Sequence, residues 1–315
     1  MKHVFVSSCA ENGGIYRYAF ENGELIFIEK TSLDCPMYTI IRDNKMHLIL
    51  REINPETQFG GYLSFDIDEN GQLINLTPIQ STNGIVPCHL EADGDDVFVA
   101  NYLSGNIVKI GETTVTHSGS SVHPTRQTAP HTHFVSLSPN KQYLLCTDLG
   151  LDTVFVYNRN LQAVSSAKVP LGSGPRHLCF NNNLVYCVNE LSNDISVFSF
   201  EKGTLTLLNT YKAIPHFKDK STAAAIKLNK GKLYVSHRGA NCISCFIIKD
   251  ETLELLYNSN CGGNSPRDFE IIDNYMICTN EGGNVAVLKL YENGAELVGT
   301  IPLENPICVT YKEKI

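Results

Sequence analysis

The chain contains no tryptophan, which excludes any repeat architecture built on a Trp-Asp dipeptide in most of its units. Positive charge is not in excess either: 25 Lys and Arg against 33 Asp and Glu give a net charge of −8. No basic stripe is present to neutralise a phosphate backbone. No apolar run approaches the roughly 18 residues of a membrane-spanning helix. The N-terminal MKHVFVSSCAENGG reads as a strand and lacks the apolar core of a signal peptide. Neither nucleic acid nor a membrane is therefore an expected partner, and the cytoplasm is the expected location. No serine sits in a Gly-x-Ser-x-Gly elbow, so a serine esterase is unsupported. Phosphate-binding loops and dinucleotide fingerprints are also missing, and no cofactor is expected.

Cysteine is plentiful, with eleven in the chain. Most of them, such as Cys146, Cys179, Cys187 and Cys278, fall inside apolar strand patterns. They read as small buried hydrophobes of a reducing compartment rather than a disulfide framework. Cys242-Ile-Ser-Cys245 matches CxxC, but residues three apart on a strand point to opposite faces and no second pair accompanies it.

What the chain does have is strands. Gly172 to Phe200, GSGPRHLCFNNNLVYCVNELSNDISVFSF, reads as three of them, separated by an Asn181-Asn182-Asn183 turn and a second polar turn. Antiparallel pairing about Asn182 brings Arg176 close to Asn189 and Glu190, a guanidinium and a carboxylate at one end of a hairpin. The unit recurs. A polar pair ends a β-rich segment at Ser7-Ser8, Arg51-Glu52, Asn101-Tyr102, Asp148-Leu149, Asn189-Glu190, His237-Arg238 and Asn280-Glu281. The spacing is about 41 to 50 residues, the signature of propeller blades.

The strand before each pair usually opens with proline, as in Pro36-Met-Tyr38, Pro87-Cys-His89, Pro130-His-Thr-His133, Pro175-Arg-His177 and Pro266-Arg-Asp268. The sixth unit has STAAAIKL instead, and the first lacks this strand, which Pro306 to Tyr311 can supply from the C-terminus. The expected fold is thus an all-β, seven-bladed β-propeller of four-stranded blades, a single domain over residues 1–315. Its ring is closed by the C-terminal strand joining the N-terminal blade, which removes an exposed edge. The stretch near Thr113 to Thr128 is the main irregularity.

In such a ring the starts of the first strands and the ends of the second strands crowd one mouth of the channel. Tyr38, His89, His131, His133, Arg176, His177 and Arg267 then face Glu52, Asn101, Asp148, Asn189, Glu190, Arg238 and Asn280. Asn and Asp at strand ends can equally serve to bond the turn backbone. His131 and His133, two apart on a strand, can share a face and ligate a metal, although no third ligand is evident.

Gly119 to Tyr157, with Arg126-Gln127, Pro130-His-Thr-His133 and Asp148-Leu-Gly-Leu-Asp152, closely resembles a signature of the seven-bladed propeller lactonases. This is the bacterial 6-phosphogluconolactonase group, related to fungal 3-carboxy-cis,cis-muconate lactonising enzymes. Gly174 to His177, Asn189 to Leu191, Arg238-Gly239 and Ser265 to Phe269 are similar to the group as well, and the likeness covers essentially the whole chain. His237 stands where the group usually has asparagine. The resemblance implies a catalytic cluster of His133, Arg176, Glu190 and Arg238, and it implies no metal.

On that basis a small anionic lactone is the expected partner, most plausibly 6-phosphogluconolactone of the pentose phosphate pathway, opened by direct attack of water. Glu190 is the candidate base and His133, with an ordinary pKa near ~6.5, the candidate acid; the two roles can be exchanged. Arg176 and Arg238 are candidates for clamping the oxyanion and the substrate's anionic group. Arg126, His131, His177 and Arg267 are candidate contacts for a phosphate or carboxylate. Arg126 can instead pin its loop, and Arg267 can pair with Asp268. Asp148 and Asn189 complete the expected substrate-binding set. A cycloisomerase closing a muconate-like diacid and a non-catalytic propeller binding a protein partner are the alternatives.

Overall fold

In a computed structural model that describes residues 2–313, strand alternation and turn residues resolve into seven antiparallel sheets around a central channel. Blade five shows how one is built. Its innermost strand Pro175–Asn181 pairs with Leu184–Asn189. The turn between them works because Asn182 adopts φ 54°, a left-handed conformation that asparagine tolerates better than most residues. Asp194–Glu201 and Thr204–Lys212 complete the sheet outward. One short 3₁₀ turn, Leu149–Leu151, is the only helical element among the described residues, and no helix there is long and apolar enough to cross a membrane.

The ring closes as its sequence pattern indicates. Lys2–Ser8 pairs antiparallel with Gly14–Glu21 on one side and with the C-terminal strand Pro306–Glu313 on the other. Val4 lies opposite Tyr311 and Val6 opposite Val309. The two ends of the chain thus share one blade, with the C-terminal strand as its innermost strand.

Blade two departs from the four-strand plan. Its third strand, Phe59–Ile67, pairs with both Leu73–Ile74 and Gln80–Ile85, so this sheet has five strands. The irregular stretch after Thr113 begins as the outer strand of blade three, Thr113–Thr116, and only then becomes a loop.

The core lies between neighbouring sheets. Between blades five and six, Tyr186, Val188, Ile195 and Val197 pack with Ala223, Ile226, Leu233 and Val235. Each fully buried Val, Leu or Ile contributes about 1.5–3 kcal/mol. Cys146, Cys187 and Cys278 are part of this buried surface. One pair departs from the expectation of free thiols: Cys9 and Cys35 are joined, linking the first hairpin loop of blade one to the entry of blade two. Both segments converge at the same channel mouth, a proximity that spacing along the chain does not reveal. The other nine cysteines are free.

Candidate active site

A repeated β-bulge delivers side chains to the mouth. In blade five Pro175 pairs with Asn189 and His177 with Val188, so Arg176 is skipped. The same skip leaves out Met37, Cys88, His133 and Arg267 in blades two, three, four and seven. A bulge frees one residue from the ladder and re-aims its side chain. These five residues line one cavity of about 360 Å³, whereas Ile307, freed by the same skip in blade one, does not. In blade six the irregularity falls over Ala224 and Ala225. These small side chains leave room for Arg176, whose Nη1 donates to Ala224 O at 2.8 Å.

A second set comes from the residue that follows each second strand. Leu50, Asn101, Asn189 and Asn280 occupy equivalent registers, each opposite a proline. The next residues are Arg51, Tyr102, Glu190 and Glu281. The first three line the cavity together with Arg238 of blade six, and Glu281 stands behind Arg267, accepting from its Nη1 at 2.6 Å.

Glu190 is the hub. Its Oε1 accepts from Arg126 Nη2 at 2.6 Å, and its Oε2 lies 3.0 Å from Arg176 Nε and 2.9 Å from Arg238 Nη2. Its backbone is clamped as well, N–H donating to Gly174 O at 2.7 Å and C=O accepting from Ala223 N at 3.0 Å. Gly174 is needed in this turn: its φ is +66°, and a Cβ there would meet Leu191 Cγ at 2.8 Å. Burial by itself would raise the Glu190 carboxyl, but Arg238, Arg176, His133 and Arg126 hold it far below the usual carboxylate range. Burial and Arg238 push Arg176 down to about 10 against the pull of Glu190, which still leaves it charged at neutral pH.

The motifs that carry the resemblance brace this hub. Asp152 accepts from Gln127 Nε2 and Gly174 N with one oxygen, both at 2.7 Å. Its other oxygen accepts from Gly172 N at 2.7 Å and Ser121 Oγ at 2.6 Å. Gln127 therefore pins the loop before blade four, which leaves Arg126 able to reach across to Glu190 in blade five.

His133 differs from its expected state. Burial and the field of Arg176 depress its pKa well below 6.5, so it is a neutral imidazole at pH 7. Its Nδ1 is buried with no hydrogen-bond partner among the described residues. Arg238 Nε is likewise unpartnered.

The cavity brings together His133, Arg176, Glu190, Arg238, Arg126 and Arg267. Four expected contacts lie elsewhere. Asp148 is wholly buried, caps the Leu149–Leu151 turn, and accepts from His131 N at 2.8 Å; its Oδ2 lies 2.6 Å from His117 Nδ1. Asn189 donates to Asp194 Oδ1 at 2.6 Å and Ser196 Oγ at 2.9 Å. Both bond the protein itself, as strand-end polar residues commonly do. His131 falls outside the channel because Thr132, not Pro130, holds the register that proline has in other blades. It stacks on Tyr102 at 4.5 Å and braces the hydroxyl that accepts from Arg126 Nη2 at 3.1 Å. His133 meets the same Tyr102 ring edge-on, and no group of three or more ligating side chains placed for a metal occurs among the described residues. His177, one residue past its bulge, joins a deeper ring of Tyr38, His89 and Phe134, with centroids 3.8–6.1 Å apart. Arg267 pairs with Glu281 rather than Asp268.

Arg51, Tyr102, Met37 and Cys88 were not among the expected site residues. In blade two the strand-end pair is Leu50-Arg51 and not Arg51-Glu52, because Leu50 replaces the asparagine that marks this position in blades three, five and seven. The signal in the sequence is Pro36, which opens its strand as the prolines of the other blades do and lies opposite Leu50.

Comparison with known proteins agrees with this architecture. The model of the family described as Lactonase, 7-bladed beta-propeller matches residues 3–311. An uncharacterized protein of Staphylococcus aureus (strain USA300) is 32% identical over 316 residues, with 91% of each chain covered. The 6-phosphogluconolactonase of Bacillus subtilis (strain 168) is 28% identical over 351 residues, covering 99% of this chain and 98% of that one. The solved periplasmic gluconolactonase of Pseudomonas aeruginosa shares the fold, with a TM-score of 0.89 at 22% identity over 100% of this chain and 99% of that one.

Proposed function

Because this chain belongs to the seven-bladed β-propeller lactonase family, we propose that it hydrolyses a sugar lactone, 6-phosphogluconolactone, to 6-phosphogluconate. The supporting observation is a neutral imidazole, His133, whose Nδ1 has no hydrogen-bond partner among the described residues, in one cavity with a carboxylate held by three arginines.

The proton-transfer roles follow from the electrostatics. Glu190 has both oxygens occupied by guanidinium donors, so it has little capacity left to take a proton from water and is a poor base. His133 is neutral and accepts a proton from the attacking water. Water oxygen bonds to the lactone carbonyl carbon, and the carbonyl oxygen becomes an alkoxide stabilised by the Arg238 guanidinium, which lines the cavity. A donor of this kind is worth about 100- to 1,000-fold in turnover. Collapse breaks the bond from that carbon to the ring oxygen, which leaves with the proton from His133. Glu190 offsets the transient imidazolium charge, and Arg176, bonded to Glu190 and to Ala224 O, holds the carboxylate in place.

The test is hydrolysis of freshly generated 6-phosphogluconolactone, corrected for spontaneous opening, by wild type and His133→Gln. The expected result is acceleration by wild type and a loss of about 100- to 10,000-fold in the variant. Equal rates remove His133 from the chemistry. No acceleration by wild type, with closure of a muconate-like diacid instead, would reassign the cavity to a cycloisomerase.

A further inference from the structure

The cavity's charge is unbalanced, and the imbalance can be assigned to residues. Arg51, Arg126, Arg176, Arg238 and Arg267 line it, and two carboxylates answer them. Glu190 takes Arg126, Arg176 and Arg238, and Glu281 takes Arg267. Arg51 is the one arginine of the five with no carboxylate partner among the described residues. We infer that Arg51 is the specificity-determining residue that receives the remote phosphate monoester of the lactone. This inference rests on the hydrolase reading above.

Three observations carry it. Arg51 follows Leu50, which holds the register of Asn189, so the bulged hairpin geometry puts it on the same rim as Glu190. Its backbone is anchored, with N–H donating to Cys35 O at 3.0 Å, and the loop beyond is closed by Ile53 N to Phe59 O at 2.9 Å. The attachment point is therefore fixed while the side chain stays exposed. An exposed guanidinium can grip a phosphate through two parallel hydrogen bonds without stripping all its water. Arg267, the other rim candidate, would have to give up Glu281 to do the same.

The lactone's two ends then separate by chemistry. The carbonyl sits with His133 and Arg238, and the phosphate sits toward blade two. A lactone without the phosphate keeps every contact at the reacting carbon and loses only this one.

The experiment measures kcat and KM for 6-phosphogluconolactone and for unphosphorylated glucono-1,5-lactone with wild type, Arg51→Gln and Arg51→Lys. Calorimetric binding of 6-phosphogluconate and gluconate to the same proteins runs beside it. Arg51→Gln is expected to lower kcat/KM for the phosphorylated lactone by about 10- to 100-fold, the range of a hydrogen bond to a charged group. The loss should fall mainly in KM, with glucono-1,5-lactone unchanged and Arg51→Lys intermediate. An equal loss on both lactones, or no loss on the phosphorylated one, overturns the inference. If wild type accelerates neither lactone, the hydrolase reading falls and binding still decides this one. Weaker 6-phosphogluconate binding by Arg51→Gln with gluconate unaffected supports it, and unchanged or absent 6-phosphogluconate binding overturns it.

Discussion

The two ends of the channel are built from the same innermost strands and carry the same kinds of charge, yet they divide that charge differently. At the far end, beyond the ring of Tyr38, His89, Phe134 and His177, a cavity of about 410 Å³ includes Arg42, Glu91, Lys227 and Glu270. There every cation has its own acid. Arg42 Nη2 lies 2.9 Å from Glu91 Oε1, tying blade two to blade three. Lys227 bonds Glu270 and lies 3.7 Å from Asp268, tying blade six to blade seven. At the near end five arginines line the cavity, four of them share two carboxylates, and Arg51 has none among the described residues. Matched pairs between neighbouring blades satisfy one another and ask nothing of a ligand. A surplus of cations in a partly buried mouth costs stability until an anion arrives. The comparison teaches that charge type does not mark the site; charge balance does.

The sharpest way to break this contrast is Glu190→Gln. Three guanidiniums lose their shared counter-charge, and the His133 imidazolium loses its offset. Turnover should fall by about 100- to 10,000-fold, and thermal unfolding should move to lower temperature because cations are left buried and unpaired. Retention of wild-type turnover would sink the role given to Glu190.

Acid is the next lever. His89, His133 and His177 all have pKa values depressed well below 6.5 by burial and by Arg176. The folded chain thus binds fewer protons than the unfolded one once pH drops below 6.5, so stability is complete above that value and declines as pH falls. The depressed carboxyl of Glu190 adds a loss of the same sign below its ordinary value of 4.5. Turnover on the enzyme–substrate complex should stay level between about pH 6 and pH 8, since neither group titrates there. A midpoint near 6.5 in the kcat profile would contradict a neutral His133.

Lys227→Met, at the far end, should have the smallest effect on catalysis, with kcat/KM within about twofold of wild type. Stability should still drop by about 2 kcal/mol. This is less than a fully buried pair would cost, because the lysine is partly exposed, and denaturant unfolding would read it. A large loss of activity would show that the two ends are coupled through the ring between them.

Much of this was legible in the chain. The polar pairs marked the blade ends, Pro306 to Tyr311 marked the closing strand, and the Asn182 hairpin correctly brought Arg176 to Glu190. Blade two is the exception. Leu50 hides the repeat, so Arg51 was passed over and the exposed Glu52 was counted in its place. In blade four the strand starts at Thr132, two residues after Pro130, which keeps His131 out of the channel. Asp148 and Asn189 looked available because their partners, His117, Asp194 and Ser196, become relevant only once the hairpins are formed.

The sequence by itself determined the strands, the sevenfold repeat and the closure, because alternation and turn chemistry are local properties that survive in a linear string; the likeness to the lactonase family rests on its motifs, from Arg126-Gln127 and Pro130-His-Thr-His133 to Ser265 to Phe269. The tertiary structure decided which side chains face the mouth, since a one-residue bulge reverses a strand's faces without changing its composition. It also decided the proton on His133 and the unmatched charge on Arg51. Both depend on burial and on charges brought in from other blades, and neighbours in the chain do not carry that information.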